Sequence, residues 1–219
     1  MKKFICIFLS LIMLTGFTSC SSGKKDSDTN DGNFYDEFPT DDEGLTVVIE
    51  KNPIATIELS DGKKIKIELC YDAAPNTVAS FIAYVNADAY EGFGFTEVRD
   101  SRIVMTDKIG SEYVAPFYTM DEYEGNPLSH LRGVVTMNRT SISDNVTGRF
   151  SIITKDSKYF DNYCTAFGKV IEGMEYVDML AAVEVNTENN QCENPVAIKS
   201  ITVDTFWQKI PDPVIIRKD

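Results

Sequence analysis

Side chains that can carry covalent or metal chemistry are few in this 219-residue chain. It has one histidine, His130, and no Gly-x-Ser-x-Gly or comparable nucleophile motif that would complete a histidine-based triad. Cys70, Cys164 and Cys192 lack the short spacing of metal ligands, and they fit either one disulfide or three unpaired thiols. We therefore expect neither a metal ion nor an organic cofactor.

A fourth cysteine, Cys20, ends a pattern typical of an export signal. Lys2 and Lys3 precede an apolar run over residues 4–14, and small residues lead from there to Cys20. An apolar run of about 11 residues is shorter than the roughly 20 that a membrane-spanning helix needs. The pattern resembles the lipobox of bacterial lipoproteins, which predicts a signal peptide at residues 1–19 and lipidation of Cys20. A plain secretory signal with an incidental cysteine is the alternative.

Residues 20–44 are acidic and rich in small polar side chains. Such a segment cannot bury enough apolar surface to order itself, so we predict a disordered tether between the membrane and the folded part. A docking motif at residues 34–38 is the alternative. Removal of Lys2 and Lys3 with the signal would change the net charge from −13 to −15, which argues against nucleic acid and anionic lipid as partners.

Two stretches of the remaining chain carry strong periodic patterns. Residues 55–69 alternate apolar and polar side chains on both sides of an Asp-Gly pair, which predicts a β-hairpin with one buried face. From Pro75 onward, Val78, Phe81 and Val85 belong to an i, i+3, i+4, i+7 series that predicts an amphipathic helix of about three turns.

The other β-like segments are short, and a second amphipathic helix follows residue 173. Strands are predicted within residues 93–105 and at residues 133–137, 150–154, 166–171 and 197–203. We expect loops over residues 106–128 and 138–148. Many short strands with two helices indicate one mostly β domain at residues 45–205, built as a closed or nearly closed barrel capped by helices, followed by a tail at residues 206–219.

Several strings in this domain carry a family resemblance. Residues 67–69 read IEL, residues 74–81 read APNTVASF, residues 90–92 read YEG, residues 130–140 read HLRGVVTMNRT and residues 167–174 read FGKVIEGM. In this order and spacing they resemble the motifs of the cyclophilin-type peptidyl-prolyl isomerases. The resemblance implies that family's fold, an eight-stranded antiparallel closed β-barrel capped by two α-helices.

The same resemblance assigns a substrate groove in which most family side chains are replaced. Glu97 stands at the position of the family's essential arginine, Met105 at its glutamine and Ser151 at the phenylalanine that floors the proline pocket. Cys164 stands where the family has histidine or tyrosine. The substrate-binding positions that it implies are Phe95, Met105, Arg149, Phe150, Ser151, Tyr159 and Cys164.

The replacement at Glu97 affects the chemistry that the resemblance implies. Rotation about an X-Pro bond has a barrier of about 18–20 kcal/mol, and a guanidinium that donates toward the prolyl nitrogen lowers it. A carboxylate has no such donor. Arg99 lies on the same side of an extended strand, about 6.6 Å from Glu97, and is a candidate substitute donor. Arg102 and Arg149 are further candidates; alternatively, these arginines only pair with neighbouring acids.

Three hypotheses for function follow from the resemblance. The first is a weak isomerase that acts on proline-containing or extended segments of exported proteins. The second is an inactive peptide-binding module, and the third is an envelope scaffold without groove function. In each case we expect a monomer that is extracytoplasmic and lipid-anchored to a bacterial cell membrane.

Overall fold

The computed structural model describes residues 49–100, 103–112, 115–139 and 145–216. The predicted signal peptide, Cys20, the tether and Arg102 lie outside these residues. Within them, no helix is both long enough and apolar enough to cross a membrane.

Nine strands and two α-helices make up the described fold. The strands are Ile54–Leu59 (β1), Lys64–Leu69 (β2), Phe93–Arg99 (β3), Ile103–Lys108 (β4), Thr119–Met120 (β5), Val134–Arg139 (β6), Asn145–Ile153 (β7), Thr165–Glu172 (β8) and Gln191–Asp204 (β9). The helices are Pro75–Asn86 (α1) and Met174–Ala181 (α2), and 3₁₀ turns occupy Tyr71–Ala73 and Lys158–Asn162.

Eight of the strands form a closed barrel. Their order is β4-β3-β9-β1-β2-β8-β6-β7, and pairing of β4 with β7 closes the ring, so that no long edge is left exposed. All pairings are antiparallel, and the short β5 adds to β7 outside the ring. This confirms the fold class predicted from the sequence, an eight-stranded antiparallel closed barrel with two α-helices.

An aromatic cluster fills one part of the core. Phe81 of α1 packs against Tyr90, Phe150 and Phe167, with ring centroids 5.4–5.7 Å apart. The alternation predicted for β1 and β2 is present, because every second residue of the hairpin is buried. The apolar series that predicted α1 therefore faces the barrel, as the helical period requires.

The N-terminus of α1 is capped by a distant side chain. The carboxylate of Glu122 accepts the backbone N–H groups of Asn76 and Thr77 at 3.0 and 2.6 Å, and Ala74 at the cap position contributes no side-chain bond. Asn76 in turn exchanges hydrogen bonds with the backbone of Val214. Val214, in the stretch that we expected as a tail, is therefore hydrogen-bonded to the start of α1.

Two segments differ from the expected elements. The predicted loop over residues 106–128 contains the end of β4 and the short β5. The last strand begins six residues before its predicted start, because its first part pairs with β3 and its second part with β1. A strand that changes partners along its length does not keep one face buried throughout. The first half of this strand therefore shows no regular alternation of apolar and polar residues in the sequence.

Candidate functional site

A pocket of about 200 Å³ opens on the outer side of the barrel where β3, β4, β6 and β7 meet. Its lining residues are Arg99, Ile103, Met105, Thr136, Asn138, Arg139, Ser151, Ile153, Phe160 and Cys164. Strand β7 separates this pocket from the core: Phe150 is enclosed in the aromatic cluster, and Ser151 turns to the pocket.

The floor of the pocket is apolar. Ile103 and Ile153 belong to a small hydrophobic cluster, against which Met105 and Phe160 pack from the pocket side. Phe160 comes from the 3₁₀ turn Lys158–Asn162, next to the expected groove residue Tyr159. Sequence reasoning missed Phe160, although its position beside Tyr159 in an aromatic turn could have identified it. The floor suits a compact apolar group such as a proline ring.

A hydrogen-bonded network supports the pocket from behind. Ser151 Oγ donates to Asn138 Oδ1 at 2.6 Å, so the serine contributes a polar wall at the position where the resemblance implies a phenyl ring. The Nε2 of His130 lies 2.9 Å from Thr136 Oγ1, and its Nδ1 lies 2.8 Å from Asp161 Oδ1. Burial lowers the pKa of His130, and the carboxylate of Asp161 opposes that shift. His130 is thus a structural support for the wall that contains Thr136.

Glu97 and Arg99 form an ion pair at the edge of the pocket. Residues 97–99 pair in regular register with residues 103–105, so the two side chains share one face, as the extended strand predicts. Arg99 Nε donates to Glu97 Oε1, and Gln191 Nε2 lies 3.4 Å from Glu97 Oε2. Arg99 therefore lines the pocket while its Nε is held by the carboxylate beside it.

A second arginine in the pocket wall was not predicted. Arg139, near the end of β6, donates from Nη1 to the backbone oxygen of Tyr163 at 3.2 Å, and its Nε lies 3.7 Å from Asp121 Oδ2. Its guanidinium lies over the ring of Tyr123, 5.5 Å from the centroid. The resemblance drew attention to other strand positions, so only the fold revealed Arg139 as a pocket residue.

Four predicted groove residues lie outside the pocket lining. Phe95 and Phe150 are almost fully buried and contact one another in the core, away from the pocket lining, and their role in substrate binding stays a prediction. Alternation of a regular strand explains this burial for Phe150, which points inward while Ser151 points outward. On β3 a β-bulge between Phe95 and Glu97 shifts the register, so that these two residues, although two positions apart, face opposite sides. Arg149 lies on β7 two residues before Ser151, and its Nη1 pairs with Asp107 Oδ2 at 2.9 Å. Tyr159 is 70% exposed and stacks on Tyr163 beside the pocket.

Thiol chemistry does not explain the pocket. Burial raises the pKa of Cys164 to about 11, so its thiol is protonated at neutral pH and is a weak nucleophile. Cys70, Cys164 and Cys192 are all unpaired thiols. Among the described residues no group of three or more His, Cys, Asp or Glu side chains is arranged to hold a metal ion. The site therefore offers an apolar floor with guanidinium donors at its rim.

Comparison with known proteins identifies the family. Residues 54–203 match the model of the family described as cyclophilin type peptidyl-prolyl cis-trans isomerase/CLD. Peptidyl-prolyl cis-trans isomerase B of Bacillus subtilis is 33% identical over 132 residues, which cover 59% of this chain and 92% of that protein. Peptidyl-prolyl cis-trans isomerase A of Dickeya dadantii is 32% identical over 151 residues, covering 63% of this chain and 78% of that protein.

The solved structures agree on the fold. A Cryptosporidium parvum cyclophilin-type isomerase, crystallised in the presence of the dipeptide Ala-Pro, superposes with a TM-score of 0.59 at 23% identity. The match covers 69% of this chain and 98% of that one. Because the family model spans residues 54–203 and the barrel has the expected closure, this chain belongs to the cyclophilin-type peptidyl-prolyl cis-trans isomerase family.

Proposed function

We propose that this chain is a peptidyl-prolyl cis-trans isomerase of weak activity, acting on proline-containing segments of exported proteins. The observation that carries this proposal is the pocket of about 200 Å³, which combines an apolar floor with Arg99 and Arg139 at its rim. Membership of the isomerase family supports the reaction class. We further propose that the protein works as a monomer outside the cytoplasm, anchored to a bacterial cell membrane through lipid on Cys20.

The reaction requires binding and one directed donor. The barrier of about 18–20 kcal/mol comes from amide resonance, so no covalent intermediate or proton transfer is needed. Ile103, Met105, Ile153 and Phe160 form an apolar floor for the proline ring. A guanidinium N–H that points toward the prolyl nitrogen would bind the twisted amide more tightly than the planar one, and this difference accelerates rotation.

The pair between Glu97 and Arg99 explains why we expect weak activity. Glu97 accepts a hydrogen bond from Arg99 Nε and draws the guanidinium toward β3. Losing one preorganised donor costs about 10²–10³ in rate. The side chain of Arg99 is 56% exposed, but that of Glu97 is only 15% exposed. Turning the guanidinium toward a substrate would leave a largely buried carboxylate without its partner, and this cost keeps the activity weak.

A protease-coupled isomerisation assay on an Ala-Pro peptide tests the proposal. We expect a measurable kcat/KM for the wild-type chain and a loss of about tenfold or more in Arg99→Ala or Arg139→Ala, whichever side chain donates. Arg132→Ala is the matched control, because Arg132 pairs with Asp178 at the surface and is absent from the pocket lining. A wild type without activity, or equal losses in all three variants, would contradict the proposal.

A peptide-binding module without turnover is the second candidate. It is favoured by the carboxylate of Glu97 at the predicted donor position and by Ser151, which places a hydroxyl where the resemblance implies a phenyl ring. Alkylation of Cys164 separates the two, because its thiol lines the pocket. A module should show slower alkylation of Cys164 when proline peptide is added, together with no acceleration in the isomerisation assay.

The lipid anchor has its own test. Cys20→Ser should move the protein from the membrane fraction to the soluble fraction, because two or more acyl chains at about 0.8 kcal/mol per methylene are needed for stable attachment. Cys70→Ser is the matched control, since Cys70 lies in the folded domain. Unchanged membrane partition of Cys20→Ser would show that Cys20 is not the anchor.

A further inference from the structure

The pocket has two properties that together define an occupant. Its floor is apolar, and its rim carries the cations Arg99 and Arg139. Arg149 adds a third cation on the same side of β7 as Ser151. Arg149 pairs with Asp107 at an exposed position, where the pair contributes little net stability and can be exchanged for another acidic group. Glu97 and Asp121 are largely buried and stay with Arg99 and Arg139, but the side chain of Arg99 is exposed enough to accept a further carboxylate. The fitting occupant is therefore an apolar ring flanked by carboxylates.

The chain itself contains such a segment. Pro39 is the single proline outside the described residues, and Phe38 precedes it. Asp36 and Glu37 lie on one side of this dipeptide, and three acids at residues 41–43 lie on the other. No basic residue occurs between Asp36 and the first described residue, so the segment is complementary in charge to the arginines at the rim.

An exposed aromatic pair beside the pocket provides a surface for Phe38. Tyr159 and Tyr163 stack with ring centroids 4.9 Å apart, and 70% and 46% of their surfaces are exposed. Tyr159 also contacts Phe160 of the pocket floor edge-on, with ring centroids 5.5 Å apart. An aromatic side chain next to a docked proline would cover these rings, which the described fold leaves open to solvent.

The segment is long enough to reach the pocket. Asn52 accepts a hydrogen bond from the amide of Tyr71 just after β2, and one strand separates β2 from the pocket strand β6. With strands about 4.8 Å apart and about 3.3 Å per residue, Asn52 lies about 20 Å from Thr136. Ile49 lies within about 10 Å of Asn52, and the ten residues from Pro39 to Ile49 span up to about 33 Å.

We propose that residues 36–43 dock in the chain's own groove, with Pro39 in the pocket and the flanking acids on the arginines of the rim. The inference rests on the proposed function, since it assumes that the groove holds a proline ring. A short linker gives an effective concentration of about 1 mM, so even a weak site is occupied much of the time. The protein would then release its groove only to clients that bind better than its own segment.

Disulfide trapping with the native Cys164 tests this contact. Thr40→Cys is introduced into the full chain with Cys6 and Cys20 replaced by Ser, and the chain is oxidised with diamide at pH 8.5. If Pro39 occupies the pocket, residue 40 comes within the 4.4–6.8 Å Cα separation that a disulfide requires. We expect a monomeric product linked from residue 40 to Cys164, about tenfold more abundant than links to Cys70 or Cys192.

Matched variants decide between docking and random encounter. Pro39→Ala in the same chain should reduce the link to Cys164 about tenfold, and Thr29→Cys, which lies outside the docking segment, should link without preference among the three thiols. Equal linkage from residue 40 to all three thiols, or linkage that ignores Pro39→Ala, would overturn the proposal. A disulfide-linked dimer in place of the monomer would also overturn it, because the occupant would then be a second copy.

A separate measurement keeps this inference apart from the proposed function. An Ala-Pro peptide should slow the alkylation of Cys164 in the Pro39→Ala chain if the groove binds proline at all. Protection by the peptide without the specific disulfide would refute self-docking and leave the proposed function intact. Absence of protection would refute the proposed function itself, whatever the disulfide pattern.

Discussion

The two sides of β7 differ in how strongly packing constrains them. On the inner side, Phe150 contacts the rings of Phe81, Tyr90 and Phe95 at centroid distances of 5.7–6.4 Å and is fully buried. On the outer side, Ser151 borders a pocket of about 200 Å³ and makes a side-chain hydrogen bond to Asn138. Adjacent residues of one strand therefore serve two different environments.

The difference indicates where this sequence can depart from its family without losing the fold. A core side chain fills a close-packed space, so a change in its volume destabilises the whole barrel. A pocket side chain borders solvent, so its replacement changes the chemistry of the groove and little else. Glu97, Met105, Ser151 and Cys164, which the sequence resemblance assigns as replacements of family residues, all lie on the outer side, whereas Phe95 and Phe150 lie in the core.

The largest effect is a loss of stability, expected from a substitution on the inner side of β7. Phe150→Ala should lower the free energy of unfolding by about 3–5 kcal/mol, because it leaves a cavity in the aromatic cluster. Ser151→Ala is the neighbouring control and should cost about 1 kcal/mol, the value of one hydrogen bond. Urea denaturation measures both. Similar losses in the two variants would contradict the assignment of Phe150 to the core and Ser151 to the pocket.

The next effect concerns catalysis on the outer side. If the activity is limited only by the side chains at positions 97, 105 and 151, Glu97→Arg with Met105→Gln and Ser151→Phe should raise kcat/KM on an Ala-Pro peptide by about 10² or more. The floor residue Phe160 must move for the new phenyl ring, so the variant without Ser151→Phe is measured in parallel.

The two variants test whether substitutions on the outer side of the barrel change activity without changing the fold. Circular dichroism should show both variants folded, because the substitutions leave the core untouched. Two folded variants that remain inactive would show that the shape of the groove, and not a missing donor, limits the reaction. A gain in the triple variant that is absent from the variant without Ser151→Phe would place the main defect at Ser151.

The smallest effect is expected behind the pocket wall, at His130. Burial lowers its pKa in the folded state, so the unfolded chain binds a proton more readily. Stability should therefore be complete above pH 6.5 and should fall as the pH drops toward the lowered value, by at most about 1.4 kcal/mol per pH unit. The difference between wild type and His130→Gln in urea denaturation at pH 7.5 and 5.5 measures this contribution. A pH dependence that is identical in both proteins would refute it.

Local patterns predicted much of the fold. The hairpin β1–β2 and helix α1 are visible in the sequence because each buries one face, and burial of one face imposes a period of two or of 3.6. The motif strings placed the groove near residues 95–105 and 148–164. They did not identify Phe160 or Arg139, which no local period distinguishes from any other residue.

By itself, the sequence determined a mostly β domain with two helices and, through its motif strings, the family resemblance, because alternation and motif order are properties of neighbouring residues. Only the tertiary structure decided which groove residues face the pocket, how Glu97 holds Arg99, and that Glu122 caps α1 from 45 positions away. These contacts join segments that are distant in the chain. Their geometry follows from the closure of the barrel by β4 and β7, and no short stretch of sequence encodes that closure.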